Sequence, residues 1–283
     1  MTGARNNFQS ALPHLMFIWK GREGARVLNQ SMRRRTMVWR QMIGSKRRIP
    51  RLPEGVRIYA VGDVHGRADL LEQVFAQIDA DLAAYPRCKP LQVFLGDYID
   101  RGLFSREVIE SLIRRSRVHQ MVCLKGNHEN YVFDFLKNPA TLSQWRALGG
   151  LQTLMSYGLQ PPINPDRAQQ AELAQALDTV FPKRHRRFLR GLPRFFSCGD
   201  FFFVHAGVRP GVSLAEQREE DLLSIRNDFL VCEDDFGKIV IHGHTPVTEP
   251  DIRPNRINID TGAYATGRLT CLIIESGGYF VLS

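Results

Sequence analysis

The sequence predicts an α/β fold of two sheets packed together with helices on the outside. Three observations carry that expectation. Residues 57–124 alternate apolar, strand-like runs with amphipathic stretches in the order β-α-β-α-β, the pattern of a parallel sheet with right-handed crossovers. Residues 131–192 read as helical and polar, an insertion beside the sheet. From Phe195 onward short apolar runs return, which gives a second, mostly antiparallel sheet packed on the first.

Each element follows from its own pattern. Arg57–Val61 is the first strand. Leu70, Leu71, Val74, Phe75, Ile78 and Leu82 recur at helical spacing across 67–85, and Pro86 and Pro90 end that helix. Leu91–Leu95 is the second strand. The helix over 105–117 opens at Ser105, a capping residue, and carries Val108, Ile109 and Leu112. His119–Leu124 is the third strand, and a helix runs on from Glu129. In the insertion, Gly149-Gly150 is a break and the stretch from Gln160 to Ala174 a loose connection. Strands follow at 195–198, 201–205, 238–241, 256–259, 269–274 and 279–282, with turns at Gly199-Asp200 and Gly277-Gly278.

Composition narrows the class. With 283 residues, 43% of them hydrophobic, the chain can bury a full core. No apolar run reaches the roughly 18 residues that a membrane-spanning helix needs. Cys88, Cys123, Cys198, Cys232 and Cys271 are scattered and odd in number, so they read as reduced thiols of a cytoplasmic protein. The net charge of +9 hides a division. Residues 1–51 hold twelve Lys/Arg and one acid, Glu23, while the other 232 residues are close to neutral. We therefore divide the chain into a basic, disordered leader (1–53) and one folded domain (54–283). Arg33-Arg34-Arg35 and Lys46-Arg47-Arg48 fit an arm for nucleic acid, an anionic membrane or a partner. A targeting segment, a plain tail and an unused upstream start, with Met32, Met37 and Met42 downstream, are the other readings.

Function is concentrated where the first three strands end. Gly62-Asp63-Val64-His65-Gly66, Gly96-Asp97-Tyr98-Ile99-Asp100-Arg101-Gly102 and Gly126-Asn127-His128-Glu129 start 34 and 30 residues apart. That is the length of a strand-helix-strand unit, so the loops sit side by side at one sheet edge. Alternation lets Asp63 and His65 share one ion, and Asp97 can bridge two ions. Asn127 offers an amide oxygen, and His205 and His244 follow later strands. His242 is the competitor of His244, read as strand-end packing. Carboxylate, amide and imidazole together suit Mn, Fe or Zn better than Mg or Ca. Tyr98 and Tyr264 are candidates for either the pocket wall or the core.

These motifs, with the later His205-Ala206-Gly207 and Gly243-His244-Thr245-Pro246 and the run Asp260-Thr261-Gly262-Ala263, resemble the phosphoprotein phosphatase branch of the calcineurin-like metallophosphoesterases, its bacterial and lambda-phage-type members in particular. The resemblance spans about residues 56–275. It implies a four-layer αββα sandwich and two divalent metals, Mn above all, activating a hydroxide. One metal would be held by Asp63, His65 and Asp97, the other by Asp97, Asn127, His205 and His244. Pro246 stands where other branches place a further histidine. By the same resemblance, His128 paired with Asp100 is the general acid, and Arg101 and Arg226 contact the phosphate.

The implied substrates are phosphoserine and phosphothreonine in proteins, with phosphotyrosine as an addition. Glu129 carries that preference over an enzyme of the same branch that splits dinucleoside tetraphosphates symmetrically. A non-catalytic binding protein acting through the leader is the rival of another class.

Overall fold

Alternation within each strand decides the layering of this domain. The computed structural model describes residues 49–282. In chain order, β1 (Val56–Val61), α1 (Ala68–Ala84), β2 (Lys89–Phe94), α2 (Ser105–Arg115) and β3 (Met121–Cys123) form the expected alternation. Between β3 and the next strand the chain is helical: α3 (His128–Lys137), α4 (Leu142–Ala147), α5 (Gly150–Ser156), α6 (Arg167–Val180) and α7 (Lys183–Arg190). Then come β4 (Phe195–Cys198), β5 (Phe201–Val204), α8 (Glu219–Ser224), α9 (Asn227–Leu230) and β6 (Ile239–His242). The chain ends with β7 (Asp251–Ile252), β8 (Arg256–Asn258), α10 (Ala263–Thr266), β9 (Cys271–Glu275) and β10 (Gly278–Leu282).

In β1, Ile58 and Ala60 enter the core between the sheets, while Tyr59 and Val61 enter the core beneath the helices. β9 does the same with Leu272 and Ile274 against Cys271 and Ile273. Phe201, Phe203, Ile239, Ile241 and Ile257 of the second sheet meet that inter-sheet core, and Phe202, Val204 and Val240 face Leu222 and Phe229 of α8 and α9. Each fully buried apolar side chain of this size contributes about 1.5–3 kcal/mol. A one-residue slip in any strand would exchange the two faces and forfeit several such terms. The result is four layers, helices on sheet on sheet on helices, as expected.

The strand assignment departs from the sequence reading in two respects. The sheets run β10-β9-β1-β2-β3 and β4-β5-β6-β8-β7, so the last two strands join the first sheet. β2 covers only one edge of β1, and β9 pairs antiparallel with the other, Ile58 opposite Ile274. The second sheet is mixed and not mostly antiparallel: β5, β6 and β8 are parallel, with antiparallel β4 and β7 at its edges.

The domain boundary also moves. Leu52 is buried and Ile49 packs against the inter-sheet core. Arg51 exchanges two hydrogen bonds with Asp200: its N–H donates to Oδ2 at 2.9 Å and its carbonyl accepts from the Asp200 N–H at 2.9 Å. Residues 49–53 thus belong to the domain, because their apolar side chains complete its core. The rest of the leader, with both basic clusters, lies outside the described residues. All five cysteines are free thiols. Among the described residues no helix is long and apolar enough to cross a membrane.

Behind β1, a buried polar network ties α1 to the sheet. Arg57 donates to Asp81 from Nε (3.0 Å) and Nη2 (3.2 Å), and Tyr59 Oη donates to Asp81 Oδ2 at 2.7 Å. Glu275 also accepts from Arg57 at the rim. Asp81→Ala should cost about 3–5 kcal/mol, because it leaves the Arg57 charge buried without its main partner. Urea unfolding measures this; a loss below about 1 kcal/mol would show that Glu275 alone suffices.

Candidate metal and phosphate site

Asp97 lies at the junction of the two sheets, where five parallel strands end. β1 delivers Asp63 and His65, β2 delivers Asp97 to Arg101, and β3 delivers Asn127 and His128. From the second sheet, β5 delivers His205 and β6 delivers His244. The loops are stitched by main-chain bonds. His65 N–H donates to the Asp97 carbonyl (2.8 Å), Gly66 N–H to Tyr98 (2.9 Å) and Gly102 N–H back to His65 (3.0 Å). Gly243 N–H donates to the His205 carbonyl at 2.7 Å.

Backbone strain is confined to this site. The non-glycine residues with positive φ among the described residues are His65, Asp97, Asp100, Arg101 and His244, at 45°, 51°, 72°, 66° and 68°. Each costs about 1–2 kcal/mol. Two glycines allow the close approaches that go with it. A Cβ on Gly126 would lie 2.1 Å from Asp97 Oδ1, and one on Gly243 would lie 2.1 Å from Asp63 Oδ1.

The polar atoms converge without enough protons between them. His65 Nδ1 lies 2.9 Å from the Ile99 carbonyl, which only accepts, so Nδ1 carries the proton. Its Nε2 is then a bare lone pair, 3.4 Å from Asp97 Oδ2. His205 Nδ1 is likewise held by the Leu95 carbonyl at 3.0 Å, leaving Nε2 bare at 3.4 Å from Asp97 Oδ1. Asn127 Oδ1 is 3.0 Å from His205 Nε2 and 2.9 Å from His244 Nδ1, and those two nitrogens are 3.2 Å apart. Asp63 accepts the His244 N–H on Oδ2 at 3.0 Å, yet its buried Oδ1 has no partner. A cation would relieve such crowding of acceptors. The donor set therefore fits divalent metals in two groups that share Asp97: His65, Asp97 and His128 on one side, and Asp97, His205 and His244 on the other.

Titration follows burial. Desolvation lowers His65 and His244 to about 3 and lowers His205 as well, which keeps the three imidazoles neutral. Burial, then the charges of Asp260 and Asp97, raises the Asp63 carboxyl well above its ordinary value.

His128 and Asp100 form a hydrogen-bonded pair at the same place. His128 Nδ1 lies 2.7 Å from Asp100 Oδ2, and His128 Nε2 faces Asp97 Oδ2 at 3.8 Å. Burial lowers the His128 imidazole, but the Asp97 and Asp100 charges outweigh it and raise the pKa. Asp100 is held by groups that the sequence did not reveal. Trp145 Nε1 donates to it at 2.9 Å and Thr153 Oγ1 at 2.6 Å. Both come from the helical insertion, 45 and 53 residues away. The Gly149-Gly150 break is the one local signal for them: the Gly149 carbonyl accepts the Arg101 N–H at 3.1 Å.

Arg101 Nη2 lies 3.5 Å from His128 Nε2, at the open side of the cluster. Arg226 donates from Nη1 to Thr245 Oγ1 at 3.4 Å, beside His244. All ten candidate residues therefore fall in one region. His242 does not join them; it is fully buried and packs edge-on against Phe229. Tyr98 is core, its hydroxyl donating to the Leu124 carbonyl at 2.7 Å, whereas Tyr264 stands at the site.

Comparison with known proteins agrees with this geometry. A family model described as calcineurin-like phosphoesterase matches residues 56–267. The chain belongs to the calcineurin-like phosphoesterases. Among curated relatives of this phosphoesterase, bis(5'-nucleosyl)-tetraphosphatase PrpE [asymmetrical] of Anoxybacillus flavithermus is 25% identical, over 75% of this chain and 88% of the relative. The protein of the same name from a Geobacillus strain is 26% identical, over 76% and 89%. Of solved structures, one assigned provisionally as a diadenosine tetraphosphatase covers 82% of this chain and 96% of its own, with 21% identity and TM-score 0.54. The cold-active protein-tyrosine phosphatase of a Shewanella species covers 83% of each chain, with 15% identity and TM-score 0.55. At such identities the solved structures establish the phosphoesterase fold alone.

Glu129, the last residue of the third motif, binds main chain. It is fully buried and points away from the open side, accepting the N–H groups of Asp97 (3.0 Å), Tyr98 (2.8 Å) and Gly126 (2.8 Å). Its carboxylate joins the loop at Asp97-Tyr98 to the loop at Gly126. Burial raises its pKa to about 7, while N–H groups of Tyr98 and Gly126 oppose the shift. Glu129→Gln puts an NH2 group against a backbone N–H and should cost about 1–3 kcal/mol. An unchanged urea midpoint would contradict this role.

Proposed function

We propose that this phosphoesterase hydrolyses dinucleoside polyphosphates with the help of two divalent cations. The observation that carries the hydrolytic reading is the His128–Asp100 pair, 2.7 Å apart and directly beside the proton-poor cluster at Asp97. Asp63, His65 and Asp97 would hold one cation, and Asp97, Asn127, His205 and His244 the other. Mn suits this mixed set, with Fe and Zn as alternatives. When bound, such ions supply Lewis acidity for the phosphoryl oxygens and lower the pKa of water.

The remaining chemistry belongs to the chain. Arg101 binds a phosphoryl oxygen through its guanidinium N–H groups and balances the charge that the transition state spreads over the equatorial oxygens. Arg226, beside His244, supplies a second guanidinium. His128 donates the Nε2 proton to the departing oxygen as the bond to phosphorus breaks. Asp100 keeps the proton of Nδ1 in place and stabilises the imidazolium, and Trp145 and Thr153 keep Asp100 from turning.

The choice of substrate rests on the curated relatives, whose names specify bis(5'-nucleosyl) tetraphosphate and asymmetrical cleavage. That differs from the symmetrical cleavage considered from sequence. Phosphoserine and phosphothreonine in proteins form the second reading, favoured by the motif Gly126-Asn127-His128-Glu129. The Glu129 carboxylate is taken up by the N–H groups of Asp97, Tyr98 and Gly126, so its support for that reading is the motif alone.

Diadenosine tetraphosphate and a phosphopeptide, assayed in parallel with Mn, test the choice. We expect kcat/KM at least about tenfold higher for the dinucleotide. AMP and ATP as products would mark asymmetrical cleavage, and two ADP symmetrical cleavage. A preference for the phosphopeptide would replace the first reading by the second. His128→Asn should lower kcat by about 10²–10⁴-fold. Asp63→Asn and metal removal by a chelator should each abolish most turnover, restored by Mn only in wild type. Metal-independent turnover would contradict the mechanism.

A further inference from the structure

We propose that Tyr264 is a positioning residue for Arg101, holding the guanidinium at the open side of the site without using any of its N–H donors. Three observations meet at this ring. The Arg101 guanidinium carbon lies 4.5 Å from the Tyr264 ring centroid, over the ring. The Tyr264 ring meets His65 edge-on, with centroids 5.6 Å apart. Tyr264 remains 40% exposed although it sits beside the buried ligands, so it forms part of the mouth of the site.

The argument turns on what holds an arginine that must bind phosphate. A carboxylate partner would fix it but would occupy the donors a phosphate needs. Among the described residues Arg101 has no carboxylate ion pair, whereas Arg57, Arg67, Arg115 and Arg209 each have at least one. Its one side-chain hydrogen bond is the 3.5 Å contact with His128 Nε2. An aromatic face attracts the cation through its quadrupole and leaves every N–H directed outward in the guanidinium plane. The main chain adds to the need for such a support. Arg101 itself is at φ 66°, so its stem leaves the loop from a strained residue. Tyr264 reaches it from α10, the turn that follows Asp260-Thr261-Gly262, at the far end of the sequence.

This inference rests on the phosphoester-hydrolase reading but not on the dinucleotide as substrate. Its test is a double-mutant cycle on the metal-loaded full chain with Tyr264→Leu, Arg101→Ala and both together. p-Nitrophenyl phosphate hydrolysis gives KM and kcat, and calorimetric titration with inorganic phosphate gives a second readout that needs no turnover. We expect Tyr264→Leu to raise KM and the phosphate dissociation constant about fivefold to twentyfold, with kcat falling less. Tyr264→Phe, which keeps the ring, should recover most of that loss. In the Arg101→Ala background Tyr264→Leu should have no further effect, because the residue it serves is gone. A loss that persists in full in that background would place the action of Tyr264 on His65 or on the fold and overturn the proposal. So would phosphate affinity unchanged by Tyr264→Leu. Wild type that bound phosphate but turned over nothing would sink the hydrolase reading, while the phosphate titrations would still decide the role of Tyr264.

Discussion

The structure depends on a shortage of protons around Asp97. Its two carboxylate oxygens face His65 on one side and His205 on the other, and both imidazoles present lone pairs because their far nitrogens are committed to the carbonyls of Ile99 and Leu95. Those two carbonyls set the tautomers, and the tautomers set the charge logic of the site. Acceptors packed this closely repel one another until a cation lies between them. Metal binding, folding of the loops and the placing of His128 are therefore one problem, not three.

That problem explains where the fold accepts strain. Five residues of the candidate site hold left-handed backbone conformations, a cost comparable in sum with the net stability of many domains. The compensation lies in the two cores on which the loops rest and in the ties between loops. Glu129 is the clearest tie, one carboxylate accepting three N–H groups across the gap between the second and third motifs. Trp145 and Thr153 do the same for Asp100, which ties the helical insertion to the candidate site.

Much of this was legible in the sequence, for identifiable reasons. The ligands lie in loops that end strands, and strand periodicity of two with helix spacing between fixes which loops are neighbours. Asp63, His65, Asp97 and Asn127 could thus be grouped from their spacing, and His205 and His244 from their positions after later strands. What stayed hidden depends on contacts across long sequence separations. Nothing local to Trp145 shows that its indole N–H reaches Asp100. The pairing of β9 with β1 was equally unreadable, because an apolar alternating strand fits either sheet until one edge is left open. The role of Glu129 was hidden for a related reason: two of the three N–H groups it accepts belong to Asp97 and Tyr98, more than 30 residues away. Leu52 and Ile49 were hidden behind the charge of the leader, which masked two apolar anchors.

The metal content of the purified full chain tests the central claim most directly. After saturation with Mn and gel filtration, elemental analysis should find about two ions per wild-type chain. Asp97→Asn should lose both ions or bind them far more weakly, because the shared carboxylate is the link between the two sets of ligands. Wild type that held no Mn, or Asp97→Asn that kept both ions at wild-type affinity, would contradict the account.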